Sequence, residues 1–352
     1  MYRVPRTLAA LIVLILTLPL ARTRTAQHST VKAKEPIKQG PAALWRDPVD
    51  IASRDLFYGP GGKDHEPRGP FTFEKEDLQG TSPKFDVIDQ NGVRWGVKMG
   101  VEARPETVAS RLVWAVGYFA NEDYFVRELH VQNMPRLRRG QSQVSRGGIV
   151  YNVRLKRRLT DEKKTGIWSW SNNPFTNTRE LNGLRVLMAV INNWDVKDLN
   201  NAVYQVSGPN PEQRYMVTDL GASFGSTNLN PAAKGNLKAY SHSNLIRNTA
   251  GGFVDFNVPS TPPMQYFFDL PEFKRRLGLL WLGHHIPVQD AAWMGRLLGR
   301  LSPGQIRDAF RAGGYTPQDG EGFSQELERR IGQLEQLPES GRGRAATQGS
   351  KF

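Results

Sequence analysis

Cysteine is absent from the 352 residues, so the chain can have no disulfide framework, no thiolate zinc site and no lipid-modified cysteine, and its stability must come from core packing. Long apolar runs are missing too. The one extended stretch, Leu8 to Ala21, is interrupted by Pro19 and followed closely by Arg22 and Arg24, which makes it too short for a comfortable membrane span. Although the formal net charge is +13, no nucleic-acid-binding motif accompanies it. Histidine is scarce, at six residues, and the adjacent His284 and His285 do not converge with Asp290 on one ion from a helix end. What remains is ordinary globular material: 39% hydrophobic and 23% charged residues, over a length that suits one two-lobed domain or two common ones.

The ends differ from the middle. Arg3 and Arg6 precede the apolar stretch and small or polar residues follow it, the pattern of an export signal over residues 1–26. An uncleaved N-terminal anchor is the rival reading; an export signal implies a periplasmic or extracellular location. Residues 27–50 are polar, Lys-rich and contain Pro36 and Pro41, a linker composition. Asp55 to Pro70, with Gly59-Pro60-Gly61-Gly62, reads as a loop, and residues 338–352, rich in Gly, Ser and Arg, read as a disordered tail. Folded structure is expected over 51–155 and 156–337, with regular elements beginning near Phe71. Arg136 to Arg139 and Arg154 to Arg158 form local basic clusters, either a solvated face or a surface for anionic polymers.

From Phe71 the pattern is extended. Phe71–Glu74, Lys84–Ile88 and Val93–Lys98 read as strands, and Gln90-Asn91-Gly92 supplies the positive φ that a hairpin turn needs. The first two strands are joined by Gln79-Gly80-Thr81-Ser82-Pro83, with Lys84 just beyond. Backbone N–H groups and hydroxyls in such a loop suit anionic oxygen, so Gly80, Thr81, Ser82 and Lys84 are candidate phosphate contacts; a plain hairpin loop is the alternative. Lys98 ends an otherwise apolar strand, either to meet nucleotide phosphates as a point charge or as an edge lysine in solvent. A helix follows over Arg104–Tyr118, with Pro105 at its start and Gly117 near its stop. Glu106 in its first turn is placed to pair with Lys98, or simply to favour the helix dipole. Strands over Tyr124–Val131 and Gly148–Leu155 bring the count to five strands around one helix.

The densest chemistry lies between Leu187 and Gly225. A helix over Thr178–Ile191 delivers Asp195, Lys197 two residues on and Asn200 five residues on; a hairpin over Asn201–Val206 and Arg214–Thr218 then ends in Asp219-Leu220-Gly221. This is the spacing of phosphoryl-transfer chemistry. One Asp accepts or orients the acceptor hydroxyl, Asn and the second Asp hold a divalent metal, and a nearby Lys donates to a transferring oxygen. Asp195 and Lys197 are therefore the candidate catalytic residues and Asn200 and Asp219 the candidate metal ligands, with Asn201 the alternative to Asn200. Asp161 to Thr178 reads as an irregular insert in which Trp168 and Trp170 either wall a cleft or anchor the core. Gly225 to Pro263 has no clear period and reads as a long functional loop, and helices are expected over Leu270–Gly283, Val288–Leu301, Ser302–Ala312 and Gly322–Leu337.

Taken together, Lys98, Glu106, Asp195, Asn200 and Asp219-Leu220-Gly221-Ala222-Ser223-Phe224-Gly225 resemble the atypical branch of the protein-kinase-like superfamily, over residues 71–337. That branch includes phosphoinositide kinases, the serine kinases of bacterial toxin–antitoxin systems, spore-coat kinases and secretory-pathway kinases. The stretch from Glu106 to Tyr118 also resembles its E-x-x-A-x-x-L-x-x-x-x-G-Y helix. The chain departs from the pattern in two places: Trp194 precedes the Asp, where the family's loops carry H-R-D or D-R-H, and no full G-x-G-x-x-G is present. The resemblance implies an α+β, two-lobed kinase-like fold with a small antiparallel-sheet N-lobe, one main helix in it, and a mostly helical C-lobe. It implies transfer of a phosphoryl group from ATP or another nucleoside triphosphate, with Mg²⁺ or Mn²⁺, to a hydroxyl acceptor, Lys98 being held on the phosphates by Glu106; a monomer is expected. Two further readings stay open: an exported pseudokinase or binding protein whose basic surface takes acidic polymers, and a hydrolase using Asp195 and Asp219 as an acid/base pair.

Overall fold

The computed structural model describes residues 40–225, 233–257 and 277–338, with 270 and 274 between the last two. The expected export signal, residues 27–39 of the linker, the tail beyond 338 and residues 271–273 and 275–276 of the helix expected over Leu270–Gly283 lie outside the described residues; the end of that stretch, Leu280–Gly283, is a 3₁₀ turn. Structure starts earlier than composition suggests. Ala42–Ala43 forms a short strand, β1, parallel to Gln213–Arg214. Leu44 is buried, and the Trp45 indole donates to the Val116 carbonyl at 2.7 Å while its ring meets Trp293 edge-on. Short 3₁₀ turns at Ile51–Ser53 and Gly59–Gly61 follow, and Ile51 and Leu56 enter the core. Residues 40–50 are thus part of the fold and not a linker, and the 55–70 loop is packed. Their few apolar residues have no helical or strand period, which is why the pattern did not announce them.

The next strands lie where alternation predicts them. β2 (Phe71–Asp77), β3 (Lys84–Ile88) and β4 (Arg94–Lys98) form an antiparallel meander. Gly92 takes φ 77° in the β3–β4 turn, where the Asp89 carboxylate accepts from the Asn91 and Val93 amides and the Trp95 indole. α1 (Ala103–Ala115) follows and stops before Gly117, at φ 95°. β5 (Asp123–Gln132), β6 (Val144–Ser145) and β7 (Ile149–Arg157) complete a six-stranded sheet rather than the expected five. It also closes on itself. β7 pairs with both β5 and β4, and the start of β2 runs parallel to the end of β5, so that β2, β3, β4, β7 and β5 form a ring. Phe85, Val87, Trp95, Val97, Val153 and Leu155 belong to an apolar core of its own. Closure makes Lys98, the last residue of β4, the direct cross-strand partner of Arg154 on β7.

A second sheet, in the order β1–β10–β9–β8, is built from β8 (Glu162–Gly166), β9 (Asn201–Val206) and β10 (Glu212–Val217). β8 falls in the stretch read as an irregular insert; Glu162-Lys163-Lys164-Thr165-Gly166 is an edge strand with no apolar residue to alternate. Trp168 and Trp170 just after it are buried, and the Trp168 indole donates to the Met216 carbonyl at 2.9 Å, which makes them anchors. α2 (Arg179–Val190) starts at Thr178, whose hydroxyl accepts from the Leu181 amide. α3 (Leu237–Ser241) and the strands β11 (Ile246–Ala250) and β12 (Phe253–Phe256) occupy the described part of the expected long loop. β13 (Ile286–Pro287) pairs with β12 and leads into α4 (Val288–Leu298), α5 (Pro303–Ala312) and α6 (Pro317–Glu335). α6 begins ahead of the expected Gly322, at Pro317, where Thr316 accepts from the Asp319 amide; Pro at the first helical position is a start signal and not a break. Gly322 lets α6 approach α3 closely: a Cβ there would lie 2.5 Å from the Leu237 Cδ2. The chain is therefore mixed α+β, and no helix among the described residues is long and apolar enough to cross a membrane.

Candidate active site

Lys98 is 3% exposed. Its Nζ lies 2.6 Å from Glu102 Oε2, 2.9 Å from Glu106 Oε2 and 3.0 Å from Asp219 Oδ1. Glu102 and Glu106 come from the N-terminal end of α1, and Asp219 from the turn after β10, 121 residues away in sequence from Lys98. Glu106 also accepts from Arg154 Nη2 at 2.8 Å. Two cations side by side on neighbouring strands would repel, and a buried glutamate between them satisfies both. Arg154 Nε is in turn 3.5 Å from the buried Asp123.

The charge balance follows from this packing. Burial works against the Lys98 ammonium, but Glu106, Asp219 and Glu102 outweigh it and hold its pKa above the ordinary lysine range. Burial alone would raise the Glu102 carboxyl; the Lys98 and Lys234 ammoniums overcome this and hold it at about 2. The enclosed Glu106 carboxyl is raised by burial, which Arg154 and Lys98 only partly offset. At Asp219 burial is again opposed by Lys98, and the carboxyl lies below its usual range.

Glu102 ties three more groups into the cluster. Ser82 Oγ donates to its Oε2 at 3.0 Å, the Lys234 ammonium meets its Oε1, and Gly221 packs against it so closely that a Cβ there would lie 2.7 Å from the Glu102 Cβ. Glycine is thus required at the third position of Asp219-Leu220-Gly221 by contact. The Gly221 amide donates to Asp219 Oδ1 at 3.3 Å.

The loop after α2 joins the cluster through its backbone. Asn193 Oδ1 accepts from the Asp195 amide at 3.0 Å, and the Asn200 side-chain amide donates to the Asp195 carbonyl. The Asn200 carbonyl accepts from the Thr218 amide at 2.8 Å and the Asp219 amide at 3.3 Å. Asp195, Asn200 and Asp219 are therefore held by one short hydrogen-bonded unit, with Lys197 Nζ 3.1 Å from Asp195 Oδ1.

Of the loop residues, only Ser82 reaches the cluster. Arg139 donates to the Gly80 carbonyl, Thr81 is exposed, and Lys84 lies 3.5 Å from Asp77; Gly80, Thr81 and Lys84 make no hydrogen bond or ion pair with the cluster among the described residues. Asn201, the alternative metal ligand, is sealed in the core with its amide on the Trp168 carbonyl. Glu102, Asp123, Arg154 and Lys234 escaped the sequence reading. Glu102 and Glu106, one helical turn apart, carried a legible signal; Lys234, in a stretch without period, carried none.

Oxygens of Glu102, Glu106 and Asp219 lie within 4.8 Å of one another. Such an all-oxygen set suits Mg²⁺ or Mn²⁺, although here the Lys98 ammonium stands among the carboxylates. Asp219 is the open member, with its side chain 43% exposed. Asn200 spends its amide nitrogen on Asp195, which leaves its Oδ1 as the donor atom on that side.

No family model matches the chain, and no curated protein sequence matches it. Among solved structures, the Helicobacter pylori proinflammatory kinase CtkA matches with a TM-score of 0.44 and 12% identity, over 75% of this chain and 95% of that one. The Golgi casein kinase matches with a TM-score of 0.33 and 10% identity, over 77% of this chain and 73% of that one.

Proposed function

We propose that the chain is a two-lobed, kinase-like phosphotransferase that moves a phosphoryl group from a nucleoside triphosphate to a hydroxyl of a protein or small molecule. The observation that carries this reading is the buried Lys98, held at 2.9 Å by Glu106 of α1 and at 3.0 Å by Asp219 of the turn after β10. A lysine fixed between a helix glutamate and an Asp-x-Gly aspartate is a device for presenting one positive charge to phosphate oxygens.

The remaining residues fall into roles around it. Asp195 orients the acceptor hydroxyl and takes its proton as the oxygen attacks the terminal phosphorus and the bond to the leaving diphosphate oxygen breaks. Lys197, beside Asp195, donates to a transferring oxygen. Asp219 and the Asn200 amide oxygen are the residues to hold Mg²⁺ or Mn²⁺, which when bound neutralises charge on the phosphate oxygens. Positioning and charge stabilisation carry most of such a reaction, and hydrogen bonds that lock Asp195, Asn200 and Asp219 into one unit serve both. Export, suggested by residues 1–26, and a monomeric state belong to the same proposal.

A second reading, a non-catalytic relative, is favoured by one observation: Glu102 already occupies the Lys98 ammonium and the Ser82 hydroxyl. Thermal denaturation decides between them. A ligand that binds only the folded state stabilises it by about 2.7 kcal/mol at a hundredfold excess over Kd. ATP with Mg²⁺ or Mn²⁺ is expected to raise the Tm of the wild type and not that of Asp219→Asn. No rise with any nucleotide would move the function to the non-catalytic reading.

A further inference from the structure

We propose that Ser82, Lys98 and Lys234 form the seat of a phosphate chain and that Glu102 is its built-in occupant, a carboxylate that an incoming polyphosphate has to displace. The identity of that polyphosphate as a nucleotide rests on the phosphotransferase reading; the seat itself does not.

Three donors from separate parts of the chain converge on this one side chain. Ser82 comes from the β2–β3 loop, Lys98 from the end of β4 and Lys234 from the segment before α3. Two ammoniums and a hydroxyl are a donor set for phosphate oxygens. Glu102 has another use open to it and does not take it: it stands at the N-cap of α1, yet its side chain caps no helix amide. A carboxylate there would ordinarily serve the first-turn N–H groups. It turns instead to the ammoniums, where it adds a third carboxylate to a lysine already bonded by Glu106 and Asp219.

Lys234 links this seat to the loop that carries Asp195. Its ammonium lies 5.3 Å from the centroid of the Trp194 ring, so the residue before Asp195 and the occupant of the seat share one cation. The seat is also reachable, because the side chains of Glu102 and Lys234 keep 13% and 20% exposure. A displaced Glu102 has somewhere to go. Val101, just before it, and Arg104, two residues after it, line an open cavity of about 1020 Å³ that Lys234 and Lys238 also border. Arg104 and Lys238 form no ion pair among the described residues, and Asp319, the acid on the far side of that cavity, is engaged with the Thr316 hydroxyl. The carboxylate would exchange two cations for two others.

The test is titration calorimetry on the full chain, first with sodium tripolyphosphate in the absence of metal and then with ATP and Mg²⁺. Glu102→Ala is expected to bind tripolyphosphate at least about tenfold tighter than the wild type. Glu102→Gln, which keeps the size of the side chain and removes its charge, should move in the same direction, and Lys234→Ala in the Glu102→Ala background should abolish the gain. Melting curves of each variant establish that it is folded. Unchanged or weaker tripolyphosphate binding in both folded Glu102 variants overturns the proposal, as does a gain that survives loss of Lys234. Tighter binding without phosphoryl transfer by any variant would uphold the seat and sink the phosphotransferase reading. Transfer by the wild type together with weakened ATP–Mg²⁺ binding and unchanged metal-free tripolyphosphate binding in Glu102→Gln would do the reverse, and make Glu102 a metal ligand.

Discussion

Arg154 shows how much of the candidate site is held by a residue that touches no part of the proposed chemistry. It is cross-strand to Lys98, bonds Glu106 at 2.8 Å and lies 3.5 Å from Asp123. The Asp123 carboxylate has no hydrogen-bond partner among the described residues, so its compensation is the Arg154 guanidinium together with the charge of the buried Arg111. Replacing Arg154 with Met keeps bulk and leaves two buried carboxylates undercompensated, a loss of about 3–5 kcal/mol. Urea denaturation at pH 7 measures it; a loss below about 1 kcal/mol would show that the guanidinium is not needed. The pH dependence has a definite sign. Burial already raises the Glu106 carboxyl, and without Arg154 it rises further, so the folded variant binds more protons than the unfolded chain between the two pKa values. The deficit should therefore shrink as pH falls from 7 to 5. A deficit that grows over that range would contradict the account.

At the scale of elements, α1 links the site to the rest of the fold. Its N-terminal end carries Glu102 and Glu106, and its far end stops at Gly117, where a Cβ would lie 2.2 Å from the Arg46 carbonyl and 2.6 Å from the Trp45 indole nitrogen. With φ at 95°, Gly117→Ala meets both a backbone clash and a left-handed conformation, and a loss of about 2 kcal/mol or more is expected. Because the lesion is at the other end of the helix, the Tm rise caused by ATP and metal should persist in this variant, on a lower baseline. Loss of the rise with the fold intact would mean that the helix end positions the glutamates. Much of this element was legible. Pro105, Gly117 and the apolar spacing between them mark a helix with Glu106 in its first turn, and the Asn-Gly turn marks the strand that delivers Lys98. β8 was not legible, because an edge strand of Glu, Lys and Thr has no apolar face to alternate. Nor was the ring closure that sets Arg154 beside Lys98: β4–β7 pairing joins residues 56 positions apart, and only packing brings them together.

The whole molecule depends on a segment whose composition reads as linker. Residues 40–50 add β1 to the second sheet, bury Leu44, set Trp45 edge-on to Trp293 of α4 at 5.2 Å, and ion-pair Arg46 with Glu212 at the start of β10. Polar and proline-containing sequence of this kind gives no period, yet two large side chains on it do the work of a packed strand. Full burial of Leu44 and partial burial of the larger Trp45 are worth about 1.5–3 kcal/mol each, so a chain that begins at residue 51 should be about 3–6 kcal/mol less stable than one that begins at residue 40. For a domain of this size that corresponds to a Tm lower by roughly 5–10 °C. Calorimetric melting of the two lengths makes the comparison. Equal Tm values would return residues 40–50 to the role of a tether. A lower Tm would place the N-terminal boundary of the folded unit ahead of residue 51, and the β10 strand that leads into Asp219 would then owe its edge protection to the first residues of the fold. That edge matters for the site, because β10 runs directly into Thr218 and Asp219, and slack in the strand would reach the Asn200 carbonyl that holds both.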